Sequence, residues 1–392
     1  PLHAFKRVAA GARIAKPKHI FLIVGESIPQ WSMDPLYMNF NICPGLREFV
    51  ADVHTACVPN FLPAGNVSRP SISSLISGIY DSGMELNEKE IFWNNTLPTA
   101  LAAQIKRLGY QTIYWYGGNS SSGNFTKYGK AQGFDCIENA TEFCGPQAPQ
   151  TWLGVYDHVF LEEAAKRIVD IEEPTFHFVY TTTNHGPYKL EDKYLDFDAH
   201  RDLPGVGDDI LNRKDGNKGL ATYKYCDKAI FDFVDAMKAK FPDSLFIVTG
   251  DHSNLFGEFN NTSFLHRDYT MREIRNTVFY MQHPELSQTS LPASIGTHLS
   301  IMPTIIEAIA PKGFEYYAAV PSAFDEQPDV HVTPYQWITS DMVGDVLGDY
   351  GQYQTYTAEP SEYIRPIDNH AQDVEYWRSL SAWMMKFYAN VQ

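Results

Sequence analysis

Two apolar runs in this chain end in the same way, with one glycine followed by side chains that bind metals. Residues 20–24 lead through a glycine into Glu26. Residues 244–249 lead through another glycine into Asp251 and His252. The buried strands of parallel sheets are near-continuous apolar runs of this kind, and ligands bind beyond their carboxyl ends. The two runs therefore predict a buried sheet with carboxylates and an imidazole at one edge.

Strand-like and helix-like stretches alternate along most of the chain. The predicted strands are 19–24, 53–58, 111–116, 175–182, 244–249 and 276–281. The predicted helices are 69–77, 97–108, 157–170, 219–239, 299–309 and 374–388. This alternation predicts a three-layer α/β/α sandwich with a mostly parallel central sheet. The alternation weakens after Pro311, so we predict an N-terminal linker over 1–17, a catalytic domain over 18–310 and a small C-terminal appendage over 311–392.

The composition predicts a large folded core and argues against one class of partner. The chain has 392 residues, of which 44% are hydrophobic and 14% aromatic, enough to build a sizeable core. Its formal net charge is −16, whereas proteins that bind nucleic acids present a basic face, so we predict no nucleic-acid partner. No run of about 18 apolar residues occurs, so the sequence predicts no membrane-spanning segment in this chain.

The N-terminal residues and the cysteines both bear on the cellular compartment in which the protein is expected to act. Basic residues precede Glu26, and the first residue is Pro1, so we expect a membrane tether that is missing from this chain. A short basic leader on a soluble enzyme is the alternative. Cys136 and Cys144 lie close together in a polar stretch, and we predict that they form a disulfide if the domain is exported. Five reduced cysteines are the alternative.

A serine-rich segment over 65–78 lies between the two acidic strand ends. Pro70 and the small and apolar residues after it predict a helix that begins near Ser68. A hydroxyl at a helix start meets the positive end of the helix dipole, which favours an anion such as phosphate or sulfate. A divalent cation can activate such a hydroxyl as a nucleophile. A serine that only caps the helix is the alternative.

Four short motifs occur in a characteristic order along residues 18–310. They are GES at 25–27, SxPSxxSLxxG at 68–78, TNHGPY at 183–188 and GDH at 250–252. This order resembles the alkaline phosphatase superfamily. Within it, the chain is most similar to the sulfatase-like branch of lipoteichoic acid synthases, phosphoglycerol transferases and phosphoethanolamine transferases.

The resemblance implies a role for each candidate site residue. Ser68 would be the nucleophile, and His185 would face the phosphate or protonate the leaving group. The implied ligands of a tightly bound divalent metal, zinc or manganese, are Glu26, Ser68, Asp251 and His252. His266 would bind a second zinc or the phosphoryl oxygens, and a loop histidine without such a role is the alternative. Carboxylate with imidazole is itself a ligand combination that suits zinc or manganese.

The resemblance also implies a reaction class. Conversion of a sulfatase nucleophile to formylglycine requires an arginine four residues after it, where this chain has Ile72. We therefore predict a metal-dependent phosphotransferase or phosphodiesterase that forms a phosphoserine and transfers phosphoethanolamine or phosphoglycerol from a phospholipid to an envelope glycan or lipid. The expected location is the periplasmic or extracellular face of the membrane. A sulfatase, a phosphomutase or phosphatase, and a metal-binding envelope domain without activity are the alternatives.

The headgroup stays open for a reason in the sequence. Lipoteichoic acid synthases carry a Trp-Asn-Arg-like element that contacts glycerol phosphate in the loop after the third strand. Over residues 116–127 this chain has neither tryptophan nor arginine. Asn119, Asn124 and Lys127 are the polar side chains that this loop offers instead.

Overall fold

The computed structural model describes residues 2–120, 123–253, 267–348, 350–354, 364–366 and 371–389. Its strands are β1 (Lys6–Val8), β2 (His19–Gly25), β3 (Thr55–Cys57), β4 (Asn60–Leu62), β5 (Gln111–Tyr116), β6 (Cys136–Asn139), β7 (Thr175–Tyr180), β8 (Leu245–Gly250), β9 (Phe279–Gln282), β10 (Ile295–Thr297), β11 (Glu315–Tyr317), β12 (His331–Val332), β13 (Gln336–Ile338), β14 (Met342–Asp345), β15 (Tyr350–Tyr353) and β16 (Ile364–Pro366).

The helices surround these strands. They are α1 (Pro44–Ala51), α2 (Ser68–Ser77), α3 (Ile91–Asn94), α4 (Leu101–Lys106), α5 (Phe125–Ala131), α6 (Ala140–Phe143), α7 (Asp157–Ile168), α8 (Ala199–Asp202), α9 (Asp208–Leu211), α10 (Lys214–Lys240), α11 (Met271–Arg275), α12 (Ile301–Ile309) and α13 (Ala371–Ala389). Short 3-10 turns cover Leu2–Phe5, Gln30–Met33, Pro35–Tyr37, Leu86–Glu88, Asp192–Tyr194 and His298–Ser300. None of the helices within the described ranges is both long and apolar enough to cross a membrane.

A seven-stranded sheet forms the centre of the fold, in the order β3-β9-β8-β2-β7-β5-β6. Its strands run parallel, except that β9 runs against both of its neighbours. Successive side chains of a strand point to opposite faces, and β2 shows this: Leu22 packs into one apolar cluster and Ile23 into another. The first cluster includes α2 and α12, and the second includes α1, α7 and α10. The fold is therefore the predicted α/β sandwich.

Some elements differ from the prediction. The predicted strand 53–58 is shorter as β3, and the chain after it forms β4, which pairs with β10 outside the central sheet. β6 was not predicted, because its sequence CIEN has a partly exposed and polar pattern rather than an apolar run. In the region 311–392, strands β12 to β16 form a five-stranded antiparallel sheet that the sequence did not indicate.

Both chain ends contact the central part of the molecule. Strand β1, within the predicted linker 1–17, pairs with β11, and Phe5 and Ile14 are buried in the same apolar cluster as α2. Near the C-terminus, the Trp377 ring of α13 lies 4.7 Å from the Tyr80 ring in an edge-to-face arrangement. Hydrogen bonds and apolar contacts thus join both segments to the sandwich.

The predicted disulfide is wrong in this structure, because all five cysteines are free thiols. Cys136 begins β6, and its Sγ lies 3.0 Å from the Glu138 carboxylate. A strand rises about 3.3 Å per residue, so β6 carries the chain about 10 Å onward before α6, which precedes Cys144. A disulfide requires Cα atoms within about 7 Å of each other and Cβ atoms that point toward each other, and closeness in sequence alone does not supply that geometry.

Candidate active site

The two acidic strand ends lie side by side. Strands β2 and β8 are parallel neighbours, and their last residues, Gly25 and Gly250, are paired in register. Glu26 and Asp251 therefore leave the sheet next to each other. A Cβ atom on Gly250 would lie 2.6 Å from the Ile28 carbonyl oxygen, so this close packing requires glycine.

Three buried side chains form a compact group at this edge. One ligand atom from each of Glu26, Asp251 and His252 lies within 4.8 Å of the others. His252 Nε2 is 3.5 Å from Glu26 Oε1 and 3.5 Å from Asp251 Oδ2. Elsewhere in the described ranges no other such group of three was found. The structure thus brings together three of the predicted metal ligands.

Ser68 reaches the same group from the first turn of α2. Its Oγ lies 3.3 Å from Glu26 Oε2 and 3.3 Å from His252 Nε2. The helix begins at Ser68, as the sequence predicts, and Val67 before it is extended. The helix start therefore directs the hydroxyl toward the carboxylate and the imidazole at the sheet edge.

Hydrogen bonds fix the orientation of these ligands. Asp251 Oδ1 accepts hydrogen bonds from the backbone N–H groups of Ser27, at 2.8 Å, and His252, at 2.9 Å. His252 Nδ1 lies 2.6 Å from the Ser253 carbonyl oxygen. A carbonyl only accepts, so Nδ1 carries the proton and Nε2 is left with a lone pair that faces the carboxylates. This tautomer is the one that binds a metal through Nε2.

The electrostatics of the group favour a cation. Burial, together with the neighbouring Asp251 carboxylate, raises the pKa of Glu26, and His252, His185 and the Ser27 hydroxyl offset only part of this effect. Two carboxylates buried side by side repel each other when both are ionised. A divalent cation would relieve that repulsion, and two carboxylates with one imidazole fit zinc or manganese. The residues present therefore fit the predicted metal.

Sequence reasoning missed Tyr180, which contacts both carboxylates. Its hydroxyl is 3.0 Å from Glu26 Oε2 and 3.1 Å from Asp251 Oδ2. Burial and the two carboxylates raise its pKa well above the ordinary value, so it stays a hydrogen-bond donor. Tyr180 ends β7, the neighbour of β2. In the sequence, nothing separates it from the other aromatic residues of this apolar strand.

His298 was also missed, and it joins the two halves of the site. Its Nδ1 accepts a hydrogen bond from the Ala64 backbone N–H at 3.1 Å, and its Nε2 donates to the Gly250 carbonyl at 2.9 Å. Burial lowers its pKa to about 4, so the ring is neutral. No local sequence pattern marks this histidine, because both of its partners are distant in the chain.

His185 lies beside this group rather than within it. It is close enough to oppose part of the rise that burial and Asp251 cause in the pKa of Glu26. Asn184 ties the loop to β2, because its side-chain amide donates to the Glu26 backbone carbonyl at 3.2 Å. The backbone turns sharply after His185, through a cis peptide bond between Gly186 and Pro187. His266 lies outside the described residues.

Comparisons with known proteins agree with this geometry. The family model described as Sulfatase matches residues 18–309. The lipoteichoic acid synthase of Staphylococcus saprophyticus is 23% identical over 309 residues, which cover 76% of this chain and 46% of that protein. The enzyme of the same name from Staphylococcus aureus strain USA300 is 22% identical over 392 residues, or 96% of this chain and 59% of that protein. The chain thus spans about half the length of these curated relatives.

Solved structures are similar over nearly the whole chain. The lipoteichoic acid synthase LtaP from Listeria monocytogenes aligns with a TM-score of 0.67 at 14% identity, covering 98% of this chain and 94% of that one. An alkaline phosphatase superfamily protein from Vibrio parahaemolyticus gives 0.66 at 17% identity, covering 97% and 90%. The periplasmic domain of EptC from Escherichia coli gives 0.59 at 15% identity, covering 85% and 94%. At these identities the likeness establishes the fold.

Proposed function

This chain belongs to the sulfatase family, in the sulfatase-like branch of the alkaline phosphatase superfamily, and we propose that it is a metal-dependent phosphotransferase or phosphodiesterase. Its substrates would be phosphodiesters of the phospholipid-headgroup type, and its intermediate a phosphoserine on Ser68. The phosphoryl group transferred would carry ethanolamine or glycerol. The acceptor would be an envelope glycan or lipid, or water.

One observation carries this proposal: the Ser68 hydroxyl is in contact with both kinds of predicted metal ligand. Its Oγ is 3.3 Å from the Glu26 carboxylate and 3.3 Å from the His252 imidazole. It also stands at the start of α2, a ten-residue helix whose dipole favours an anion at this end. A serine that only capped the helix would bond to its own backbone, but Ser68 is a helical residue and Val67 is the cap.

The proposed reaction takes place in two displacements. In the first, the Ser68 hydroxyl loses its proton to solvent and its Oγ forms a bond to phosphorus. The bond from phosphorus to the lipid alcohol breaks, and His185 donates a proton to the departing alcohol. In the second, the acceptor hydroxyl attacks phosphorus and the bond to Ser68 breaks. When bound, the cation would supply positive charge beside Ser68 and the phosphate, which favours loss of the hydroxyl proton. Glu26, Asp251 and His252 would hold it.

The similar proteins support the substrate class and the setting. Both curated relatives are named lipoteichoic acid synthases, and a similar structure is that of lipooligosaccharide phosphoethanolamine transferase A from Neisseria meningitidis. The EptC structure is of a periplasmic domain, and a second structure of it is a complex with zinc. We therefore propose that this chain acts at the cell envelope, as part of a membrane-anchored protein, with zinc or manganese as its metal.

The nucleophile helix also argues against a sulfatase. Position 72, where formylglycine maturation needs an arginine, holds Ile72, whose side chain is completely buried against the apolar cluster on that face of the sheet. A plain serine that attacks phosphorus leaves a covalent phosphoester. We therefore expect phosphodiesters to be better substrates than sulfate esters.

Mass spectrometry after a rapid quench would test this function directly. Protein loaded with zinc or manganese would be mixed with bis-p-nitrophenyl phosphate or with mixed phospholipids, and the adduct would be mapped by peptide digestion. We expect an adduct on Ser68 whose mass names the transferred group. Ser68→Ala should lose the adduct and at least about a thousandfold of the turnover, as is usual for a covalent nucleophile.

A matched serine and a matched sulfate ester complete the test. Ser287 lies in an exposed turn, where its hydroxyl contacts only neighbouring hydroxyls of the same turn. Ser287→Ala should therefore keep full activity. Turnover that survives Ser68→Ala would refute the phosphoserine, and faster release from p-nitrophenyl sulfate together with an aldehyde at position 68 would make the protein a sulfatase.

A further inference from the structure

Trp152 is exposed in a molecule that buries its other tryptophans. The chain has seven tryptophans, and the other six are buried or half-buried. Trp152 leaves 60% of its surface open. An indole offers a large, rigid apolar surface, so an exposed indole next to a site can serve as a contact surface for a ligand. Among the described residues, the one aromatic ring next to it is that of His185.

The loop that carries Trp152 is tightly held. The Thr151 backbone N–H donates to the Gly154 carbonyl at 2.8 Å, and the Thr151 hydroxyl accepts from the backbone N–H groups of Leu153 and Gly154. Gly154 forms a bridge with Gly118, in the loop after β5. A Cβ atom on Gly154 would lie 2.2 Å from the Gly117 carbonyl oxygen, so only glycine allows this contact. The tryptophan is thus presented from a fixed turn.

This turn places Trp152 against the proposed proton donor. The rings of Trp152 and His185 lie edge to face, with centroids 5.1 Å apart and an interplanar angle of 81°. The indole N–H donates to the Gly186 carbonyl at 3.4 Å, which ties the ring to the residue after His185. The half-exposed indole therefore borders the side of the site on which His185 would act.

From this arrangement we propose that Trp152 is the residue that positions the alcohol on which His185 acts. The inference rests on the function proposed above, in which the departing alcohol and the incoming acceptor use the same side of the phosphorus. The indole would pack on carbon-bound hydrogens beside the reacting hydroxyl. Val67, directly before Ser68, is a second apolar side chain with half of its surface open. Such a site fits an alcohol with an apolar or ring face, from a glycerolipid or a glycolipid.

Trp152 would therefore affect the second displacement, in which the acceptor attacks, and the ratio of products that this step gives. In that step the acceptor oxygen forms a bond to phosphorus, the phosphorus–Ser68 bond breaks, and the acceptor proton passes to His185. Water can take the place of the alcohol in the same step and needs no aromatic surface. The ratio of transfer to hydrolysis is thus the quantity that Trp152 should control.

The test measures this ratio with two acceptors. The cation-loaded protein would be incubated with bis-p-nitrophenyl phosphate and either 1-O-octylglycerol or octyl glucoside, and the transferred and hydrolysed products would be separated by mass. In Trp152→Ala we expect the ratio to fall by about 3- to 10-fold, the usual size of an aromatic contact, and Trp152→Phe should recover most of it. The acceptor whose ratio falls more identifies the glycerol or sugar type. Tyr376, exposed on α13, supplies the control Tyr376→Ala, which should leave the ratio unchanged.

The ratio does not depend on how much of a variant folds, because both products come from the same phosphoenzyme. An unchanged ratio with both acceptors in Trp152→Ala would overturn the proposal, even if total turnover falls. A ratio that falls equally in Trp152→Ala and Trp152→Phe would also overturn it, since packing on an aromatic face would then not be the cause. If no variant, including the unaltered protein, forms an adduct on Ser68, it is the proposed function that fails.

Discussion

Strands β2 and β7 carry buried polar groups near both of their ends. The two groups differ in how hydrogen bonds and charge are balanced. Near the start lie His19 and His177, at the far edge of the sheet from the candidate active site. At the other end lie Glu26 and Tyr180, together with Asp251 of the neighbouring β8 loop. The same two strands thus allow a comparison of two buried clusters in one sheet.

The histidine end satisfies most of its own hydrogen bonds. The Trp115 indole N–H donates to His177 Nδ1 at 3.1 Å, so the proton of His177 is on Nε2, which is 3.0 Å from His19 Nδ1. Burial lowers the pKa of His19 to about 4 and that of His177 well below its ordinary value. Both rings are therefore neutral. Only His19 Nε2 lacks a partner in this cluster.

The carboxylate end also has hydrogen-bond partners, but they leave its negative charge uncompensated. Tyr180 supplies one hydroxyl proton to two carboxylates, and the raised pKa of Glu26 reflects a charge that burial and Asp251 both oppose. A neutral network carries no charge to compensate, whereas a buried pair of like charges is stabilised by a cation. The contrast distinguishes a structural cluster from a candidate ligand site, although both are buried and polar.

The largest expected effect is a loss of metal affinity when the carboxylate end is altered. Asp251→Asn keeps an oxygen that can accept from the backbone N–H groups of Ser27 and His252, but removes the charge. We expect the affinity for zinc or manganese, measured by calorimetry, to fall by at least about 100-fold. The chelated variant should be no less stable than the unaltered protein in denaturant unfolding, since one buried charge is gone. Unchanged metal content would contradict the assigned ligand.

The matching change at the histidine end should lower the stability of the fold and leave metal affinity almost unchanged. His177→Leu leaves the Trp115 N–H and His19 Nδ1 without their partner. We expect the free energy of unfolding to fall by about 2–4 kcal/mol, the cost of buried unpaired groups. Metal affinity should stay within about twofold, because no metal ligand is touched. A variant that lost metal while its stability held would show that the two ends are coupled.

The sequence predicted one of these ends and not the other, for a physical reason. Glu26, Asp251 and His252 could be found because ligands collect after strands, and a strand end is visible locally as an apolar run closed by glycine. The pairing of His19 with His177 depends on which strands are neighbours and in what register, across 158 residues of chain. No local pattern carries that information.

The same reason accounts for the other differences. Tyr180 is one more large side chain in the apolar strand TFHFVY, and only the adjacency of β7 and β2 turns its hydroxyl toward the carboxylates. The five-stranded sheet of β12 to β16 consists of strands two to four residues long, too short to show an alternating pattern. The start of the helix at Ser68, by contrast, was predicted to within one residue, because Pro70 marks the first turn.

The two histidines also predict how stability depends on pH. Their pKa values are lower in the folded state than the unfolded value of about 6.5, so the unfolded chain binds more protons. Their contribution is complete above about pH 6.5 and is lost as the pH falls toward 4. Between pH 7 and pH 5 we expect these two rings to lower the free energy of unfolding by about 2 kcal/mol each, or about 4 kcal/mol together.

A double variant isolates this effect from the carboxylate end. His19→Phe with His177→Phe removes both titrating rings, while Glu26 continues to titrate in both proteins when a chelator is present. The difference in unfolding free energy between the two proteins should therefore shrink as the pH falls from 7 to 5. A difference that is constant with pH would mean that the histidines do not titrate between the folded and unfolded states.

The smallest expected effect comes from removing one donor at each end. Tyr180→Phe deletes the hydroxyl that serves Glu26 and Asp251, and Trp115→Phe deletes the N–H that serves His177. Each should cost about 1–2 kcal/mol of unfolding free energy in chelated protein. With saturating zinc or manganese, the cost of Tyr180→Phe should shrink, because the carboxylates would then have the cation as a partner. The cost of Trp115→Phe should be the same with and without metal. If the cation left both costs unchanged, or reduced both alike, the carboxylate end would be no more open to a ligand than the histidine end, and the contrast between them would fail.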